Sequence, residues 1–206
     1  MRRATTIGRG FGVVAAAVSV VVYAEPVAAD NWGSTNTDSA GSSVSLGGGS
    51  SPLTHSISFH DVTLMRQATR DALQNVYGNG TQLSTQVNPD GGSADVKVFE
   101  DTYGLNGAYA WVNCPPGATV SGAHPMRRCF NQVLKYNGSY AFDAMYATPA
   151  KRKYLACHEL GHSVGLRHAH NGNHPAAVSS CMIPPALGNL PQSIHGHDAD
   201  LVNALH

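Results

Sequence analysis

The chain has 206 residues, with 13 basic against 13 acidic side chains and only 13% charged residues overall. This length accommodates one domain with a hydrophobic core and is too short for two domains of ordinary size. Because the charge is balanced and no segment concentrates Lys and Arg, we expect no nucleic-acid partner.

Residues 1–29 have the organisation of a secretory signal peptide. Three arginines within the first nine residues precede an uncharged run of 14 residues, Phe11 to Ala24, and small residues before position 30 predict cleavage after Ala29. The alternative is a membrane anchor, but 14 residues of helix rise about 21 Å and the hydrocarbon core is about 30 Å thick. We therefore predict a secreted, extracellular protein without stable membrane association after signal removal.

The mature chain divides into a linker and one patterned domain. Residues 30–53 are rich in Ser and Gly, show no hydrophobic periodicity, and are interpreted as a linker or a short pro-segment. Residues 54–206 alternate predicted elements: strands at 55–60, 94–99, 107–112 and 130–136, and helices at 62–77, capped by Asp61, at 149–166 and at 198–205. The order predicts an α+β domain with a small mixed sheet, an active-site helix and a loop-rich C-terminal part.

The predicted helix at 149–166 carries the most specific signal in the chain. His158, Glu159, His162, Gly165 and His168 spell H-E-x-x-H-x-x-G-x-x-H. The two histidines four residues apart share one face of a helix, and Gly165 lets the chain turn so that His168 returns as a third ligand. With average residue frequencies, this pattern arises by chance in on the order of one in 10⁵ chains of this size.

The motif predicts a catalytic zinc site with one ion. Three imidazole ligands leave one exchangeable position, which is the arrangement of catalytic rather than structural zinc. Glu159 follows the first ligand, points into the same cleft and is predicted to act on the zinc-bound water as general base and then as general acid. Gly161 inside the helix costs about 1 kcal/mol relative to Ala, and close packing against a neighbouring strand is one explanation and chance the other.

The four cysteines predict two disulfides in an exported protein. Three connectivities exist, and we favour Cys114–Cys129, which closes a local Pro/Gly-rich loop, with Cys157–Cys181, which joins the residue before the first histidine to the segment after the motif. The alternative for any cysteine is zinc ligation. A cysteine at the fourth position would close the metal site and stop catalysis, so disulfides are favoured.

The motif resembles that of the metzincin clan of zinc endopeptidases. Ser179-Ser180-Cys181-Met182, 14 residues beyond His168, is similar to the Met-turn of the clan, which implies that Met182 is a hydrophobic floor beneath the ligands. The resemblance implies a zincin domain and leaves matrixin-like and reprolysin-like subfamilies open. It also implies an upper edge strand that a peptide substrate joins, formed by Gly107, Ala108, Tyr109 and Ala110; an ordinary core strand is the alternative reading.

Two further metal sites deserve consideration from composition. Structural Ca²⁺ is a possibility at three carboxylates, Asp95, Glu100 and Asp101, although no spaced calcium loop supports it. Four histidines after the motif are alternatives for a second metal site or for ordinary surface positions: His170, His174, His195 and His197.

The function predicted from these features is that of a secreted zinc endopeptidase, active as a monomer on a protein or peptide substrate. Residues 54–206 form its catalytic domain in this interpretation. The alternatives are a catalytically silent zinc-binding module of the same fold and a zinc hydrolase acting on cell-wall peptide or another amide. The intact Glu159 argues against the silent module, because a purely structural zinc site has no use for that carboxylate.

Overall fold

The structure is a computed structural model that describes residues 54–118, 120–121, 128–169, 179–184 and 190–205. The predicted signal peptide and the predicted linker lie outside these residues. The described part of the chain combines a five-stranded sheet with helices, which confirms the α+β class. None of the described helices combines the length and the apolar character needed to span a membrane.

Five strands form a mixed sheet in the order β2-β1-β3-β7-β4. Their bounds are Thr54–His60 for β1, Ser84–Val87 for β2, Val96–Asp101 for β3, Ala110–Asn113 for β4 and Gln132–Asn137 for β7. The first four strands of this order pair in parallel, and β4 pairs antiparallel with β7 at one edge. Between β4 and β7 the chain forms a small antiparallel ribbon of β5 (Val120–Ser121) and β6 (Arg128–Cys129).

Helices and turns connect and follow these strands along the chain. They are α1 (Arg66–Asp71), which continues as a π-helix (Ala72–Gly78), a 3₁₀ turn (Gly138–Tyr140), α2 (Pro149–Ser163) and α3 (Gly196–Leu205). Thr148 caps α2 by accepting a hydrogen bond from the Lys151 backbone N–H at 3.3 Å, and Pro149 occupies the first helical position. Since α2 packs against α1, the π-helix, β4 and β7, it is held from several sides in the core.

The first helix begins later than its apolar spacing predicts. Asp61 was expected to cap it, but Asp61 adopts φ 57° and the helix begins at Arg66. The carboxylate of Glu100, at the end of the neighbouring β3, accepts hydrogen bonds from the backbone N–H groups of Thr63, Leu64 and Met65 at 3.0–3.2 Å. Backbone N–H groups without a partner attract a carboxylate, and here the carboxylate fixes the segment that leads into the helix from a distant part of the chain.

That use of Glu100 removes it from the proposed calcium set. Asp95 accepts hydrogen bonds from the backbone N–H and the hydroxyl of Ser56, both at 2.7 Å. Asp95 precedes β3 and Glu100 lies near its end, and five residues of strand separate them by roughly 16 Å. Asp95, Glu100 and Asp101 therefore do not converge on one cation, and the calcium prediction was wrong for this set.

The predicted substrate edge strand begins three residues later than expected. Gly107 has φ 84°, a left-handed conformation that an extended strand does not accept, and β4 begins at Ala110. Gly107, Ala108 and Tyr109 therefore form the loop that leads into the strand. β4 does lie at an edge of the sheet, as predicted, because among the described strands it pairs with β7 on one side and with no strand on the other.

Candidate metal centre

The end of α2 positions the second histidine of the motif and the turn that follows. After Ser163 the chain passes through Gly165 at φ 100°, and the Leu166 N–H donates to the Gly161 carbonyl at 2.9 Å while the Gly165 N–H donates to the His162 carbonyl at 3.2 Å. This pair of bonds is the Schellman motif that ends many helices at glycine. The turn places the Leu166 carbonyl 2.8 Å from Nδ1 of His162.

Backbone carbonyls orient two of the three histidines. Nδ1 of His158 lies 2.7 Å from the Cys181 carbonyl, and Nδ1 of His162 lies 2.8 Å from the Leu166 carbonyl. A carbonyl only accepts, so each Nδ1 carries the proton and each Nε2 keeps its lone pair. Burial, with His168 nearby, lowers the pKa of His158 to about 3, and burial likewise holds the pKa of His162 well below its usual value. Both rings are therefore neutral imidazoles at neutral pH.

The three motif histidines converge through their Nε2 atoms. The separations are 3.0 Å between His158 and His168, 3.1 Å between His158 and His162, and 3.2 Å between His162 and His168. Since Nε2 of both His158 and His162 bears a lone pair, neither can donate to the other. Tetrahedral ligands at 2.0–2.1 Å from zinc are separated by about 3.3 Å, so the donor set and its spacing fit a metal ion. Among the described residues this is the one His, Cys, Asp and Glu group that converges closely enough to bind a metal ion.

Glu159 lies beside this cluster as a buried carboxyl group. Its side chain is 4% exposed, and Oε2 has no hydrogen-bond partner in the described part of the chain. Burial raises the pKa of Glu159 to about 8, because removal from water disfavours the charged form. A buried carboxylate without a partner is costly, and a cation or a substrate group in the neighbouring pocket would offset that cost.

The cluster and Glu159 line one pocket of about 220 Å³. The remaining lining comes from the loop before β4, from β4 itself and from the first half of α2: Gly107, Tyr109, Ala110, Tyr154 and Leu155. The structure thus brings together the four predicted zinc and acid–base residues with three of the four residues predicted for the substrate edge. Ala108 is the exception, since it does not line the pocket.

Met182 is fully buried and packs against α2 at Gly161. A Cβ atom placed on Gly161 would meet Sδ of Met182 at 2.2 Å and Oη of Tyr77 at 2.7 Å. The same Tyr77 hydroxyl donates to the Cys157 carbonyl at 2.7 Å, one residue before the first ligand. Gly161 is therefore explained by close packing, although against the Met182 segment and the π-helix rather than against a strand.

We predict that Gly161→Ala destabilises the protein by about 1–2 kcal/mol. Overpacking a full core costs about 1–3 kcal/mol, and two contacts below 3 Å put this site at about 2–3 kcal/mol, from which the helix propensity of Ala recovers about 1 kcal/mol. Urea unfolding measures the difference. Gly196→Ala at the start of α3 is the matched control, because a Cβ there meets no heavy atom within 4 Å. Equal stabilities of the two variants would contradict the packing explanation.

Two disulfides occur in the described residues, joining Cys114 to Cys129 and Cys157 to Cys181. This is the connectivity favoured from the sequence. The second bridge connects α2 to the segment that carries the Cys181 carbonyl and Met182, and both of these contact the helix that carries the histidine motif. The bridge therefore fixes the carbonyl group that orients His158.

We predict that Cys157→Ser/Cys181→Ser lowers metal affinity about 10- to 100-fold, the usual effect of disturbing a partner of a ligating histidine. The free energy of unfolding should also fall by about 3 kcal/mol. Competitive titration with a metal-sensitive dye measures the affinity. Cys114→Ser/Cys129→Ser is the control: it removes a bridge of similar span and should lower stability without changing metal affinity. A matching loss of affinity in both variants would contradict the orienting role.

The second histidine group is only partly described. His170 and His174 lie outside the described residues. His195 and His197 adjoin the start of α3, where Nδ1 of His195 accepts a hydrogen bond from the His197 backbone N–H at 3.1 Å. A second metal site at these four histidines stays an untested expectation.

Comparisons with known proteins do not establish a family. No protein-family model matches the chain, and no curated protein matches it. Among solved structures, myroilysin aligns with 12% sequence identity and a TM-score of 0.32 over 56% of this chain and 48% of that chain. The chain thus matches less than half of the length of myroilysin, and a likeness of this size carries no argument about activity.

Three residues of the site were not found from the sequence. Tyr154 and Leu155 line the pocket. Tyr154 precedes His158 by four residues, so helical spacing alone places Tyr154 and His158 on the same face of α2. Tyr77 had no such signal. Its contact with Cys157 spans 80 residues and depends on the packing of the π-helix against α2.

Proposed function

We propose that this chain is a secreted zinc endopeptidase of the metzincin clan. The observation that carries the proposal is the convergence of three histidine Nε2 atoms, within 3.2 Å of one another, beside the buried carboxyl group of Glu159 in an open pocket. Two disulfides are typical of an exported protein and support secretion. The buried Met182, which packs against Gly161 of the motif helix, agrees with the role that the resemblance to the clan implies for it.

The metal ligands in this proposal are His158, His162 and His168. Zinc bound there supplies Lewis-acid activation of the scissile carbonyl group and of the attacking water. His158 and His162 remain neutral and fixed, because backbone carbonyls hold their Nδ1–H groups. This arrangement keeps the two rings in the ligating tautomer without any rearrangement when the metal ion binds.

Glu159 moves the protons in this proposal. Its Oε2 faces no protein donor in the described residues, so it is available to accept a proton from the attacking water. The carboxyl group then delivers that proton to the departing amine. Without a metal ion, burial raises the pKa of Glu159 to about 8 and keeps the group largely protonated at neutral pH; a cation bound at the histidines would favour the ionised form that accepts the proton.

The substrate is proposed to lie along the edge of the sheet. β4 pairs with β7 through one side of its backbone, and an extended peptide can pair with the other side, main chain to main chain. Ala110, at the start of β4, lines the same pocket as Glu159. A peptide held at this edge would therefore pass over the acid–base group.

Cleavage of a peptide library by the chain from residue 30 to 206 tests this function. The zinc content is measured in the same sample by mass spectrometry, and the library includes cell-wall stem peptides. We expect cleavage at internal peptide bonds, in peptides that differ in their terminal residues. Release of terminal residues alone would contradict an endopeptidase. Cleavage confined to cell-wall peptides would favour the hydrolase that acts on cell-wall peptide. Stoichiometric zinc without any cleavage would favour the catalytically silent module.

A further inference from the structure

Two large apolar side chains are conspicuously exposed among the described residues. Leu105 is 79% exposed and Phe142 is 103% exposed. No other large apolar side chain among the described residues is exposed to solvent in this way. Leu105 belongs to the loop of residues 102–109, called here the first rim loop. Phe142 belongs to the loop of residues 138–147, called the second rim loop. Single exposed apolar residues are common on surfaces, but both of these fall on loops that adjoin each other.

Hydrogen bonds connect the two rim loops to each other and to Asn137 at the end of β7. The fully buried Asn137 donates from Nδ2 to the carbonyls of Gly104 and Ala108 at 2.8 and 3.2 Å, and its Oδ1 accepts from the Ser139 N–H at 3.1 Å. The Gly104 N–H also donates to Oγ of Ser139 at 2.9 Å. The conformations of both loops are therefore coupled, and neither exposed side chain results from an unsupported loop.

Each apolar residue lies in a tight turn that directs it outward. Gly104 and Gly107, with φ 79° and 84°, flank the turn of Leu105, and the Asn106 N–H donates to the Gly104 carbonyl at 3.0 Å. Phe142 lies in a turn closed by the Asp143 N–H, which donates to the Tyr140 carbonyl at 2.7 Å. Fixed turns reduce the entropy lost when an exposed side chain is immobilised by a partner.

The rim loops continue directly into the proposed active site. Gly107 and Tyr109 of the first rim loop line the pocket that contains Glu159, and Oη of Tyr109 donates to Oδ1 of Asp143 in the second rim loop at 2.9 Å. The pocket of about 220 Å³ is smaller than ordinary ligand pockets, which measure about 300–1,000 Å³. The rest of an extended polypeptide bound there would contact the surface outside the pocket.

We propose that Leu105 and Phe142 form a contact for apolar side chains of an extended polypeptide substrate, away from the scissile bond. This inference rests on the proposed peptidase function and concerns the substrate class: unfolded protein rather than short peptides. Continuity of the rim loops with the pocket and with the start of β4 argues for the substrate as the occupant. A lipid surface and a second copy of the chain are the other occupants that the experiment distinguishes.

The experiment measures binding separately from hydrolysis. Fluorescently labelled, reduced and carboxymethylated casein is titrated with zinc-loaded Glu159→Gln protein, with and without Leu105→Ser/Phe142→Ser. We expect the double substitution to raise the Kd about tenfold, since each lost apolar contact is worth a fraction of full side-chain burial. Leu105→Met/Phe142→Leu should restore binding. Gln86→Ser, an exposed position on β2 at the far edge of the sheet, should leave the Kd unchanged.

Several outcomes would overturn the inference. An equal Kd for the double variant and its parent would do so, as would the absence of any casein binding. Binding to neutral phospholipid vesicles is measured for the same proteins. If the double variant lost this binding but kept its Kd for casein, the surface would be assigned to lipid. Conversion of a dimer to a monomer with an unchanged Kd would assign it to self-association. Because binding is measured in an inactive variant, failure of the proposed peptidase activity would be seen separately in the parent protein.

Discussion

Glu159→Gln is expected to reduce peptide hydrolysis about 10²- to 10⁴-fold, the usual contribution of a general acid–base group. Gln has the same shape as Glu but cannot take up or release a proton at neutral pH. The side chain is buried, and its Oε2 has no partner in the described residues, so the substitution removes no hydrogen bond that holds the fold. The loss should appear in kcat/KM for a peptide identified from the library.

The stability of Glu159→Gln separates this role from a structural one. Burial raises the pKa of Glu159 to about 8, so burying the ionised carboxyl group is unfavourable in the protein without metal. A neutral amide should therefore be tolerated, and the free energy of unfolding of the metal-free variant should equal or exceed that of its parent. Zinc stoichiometry should stay unchanged, because Glu159 is not among the three converging ligands.

Asp200→Asn supplies the matched control for loss of a carboxyl group. Asp200 is exposed on α3, and its replacement should leave kcat/KM within about twofold. Comparable kcat/KM for Glu159→Gln and its parent, at equal zinc content, would show that another group moves the proton or that a contaminant cleaves the peptide.

The geometry of the histidine motif was predictable because it is local. His158 and His162 share a helix face by spacing alone, and Gly165 predicts the turn that ends α2 through the Schellman bonds of Leu166. The regular elements near these residues were also recovered within about three residues. Local patterns in the sequence determine these features, so one sequence suffices to predict them.

Features that depend on distant residues were not predictable in the same way. Glu100 holds the segment that leads into the first helix from 35 or more residues away, and no local pattern marks it for that role. Strand β2 was missed because Ser84 and Gln86 are exposed, and its place in the sheet depends on backbone pairing with β1 rather than on apolar alternation. The contact of Tyr77 with Cys157 required the packing of the π-helix against α2.

Removing the metal ion is expected to abolish hydrolysis and to lower the thermal stability of the protein substantially. The lone pairs of His158 and His162 face each other at 3.1 Å, and in the absence of a cation they repel. A ligand present at 1,000 times its Kd stabilises the folded state by about 4 kcal/mol. For a domain of this size that corresponds to a shift in Tm of roughly 8–16 °C.

Calorimetry with a chelator, followed by addition of zinc, measures the shift, and activity is followed in the same samples. Glu159→Gln provides the decisive comparison: it should show the full metal-dependent shift in Tm while remaining inactive. His168→Ala should show a smaller shift, because it removes one of three ligands, and should also be inactive. If chelation left both Tm and activity unchanged, the histidine cluster would not be the metal centre of a hydrolase. If the shift occurred without any activity in the parent protein, the cluster would bind metal for stability alone, and Glu159 would have no catalytic role to lose.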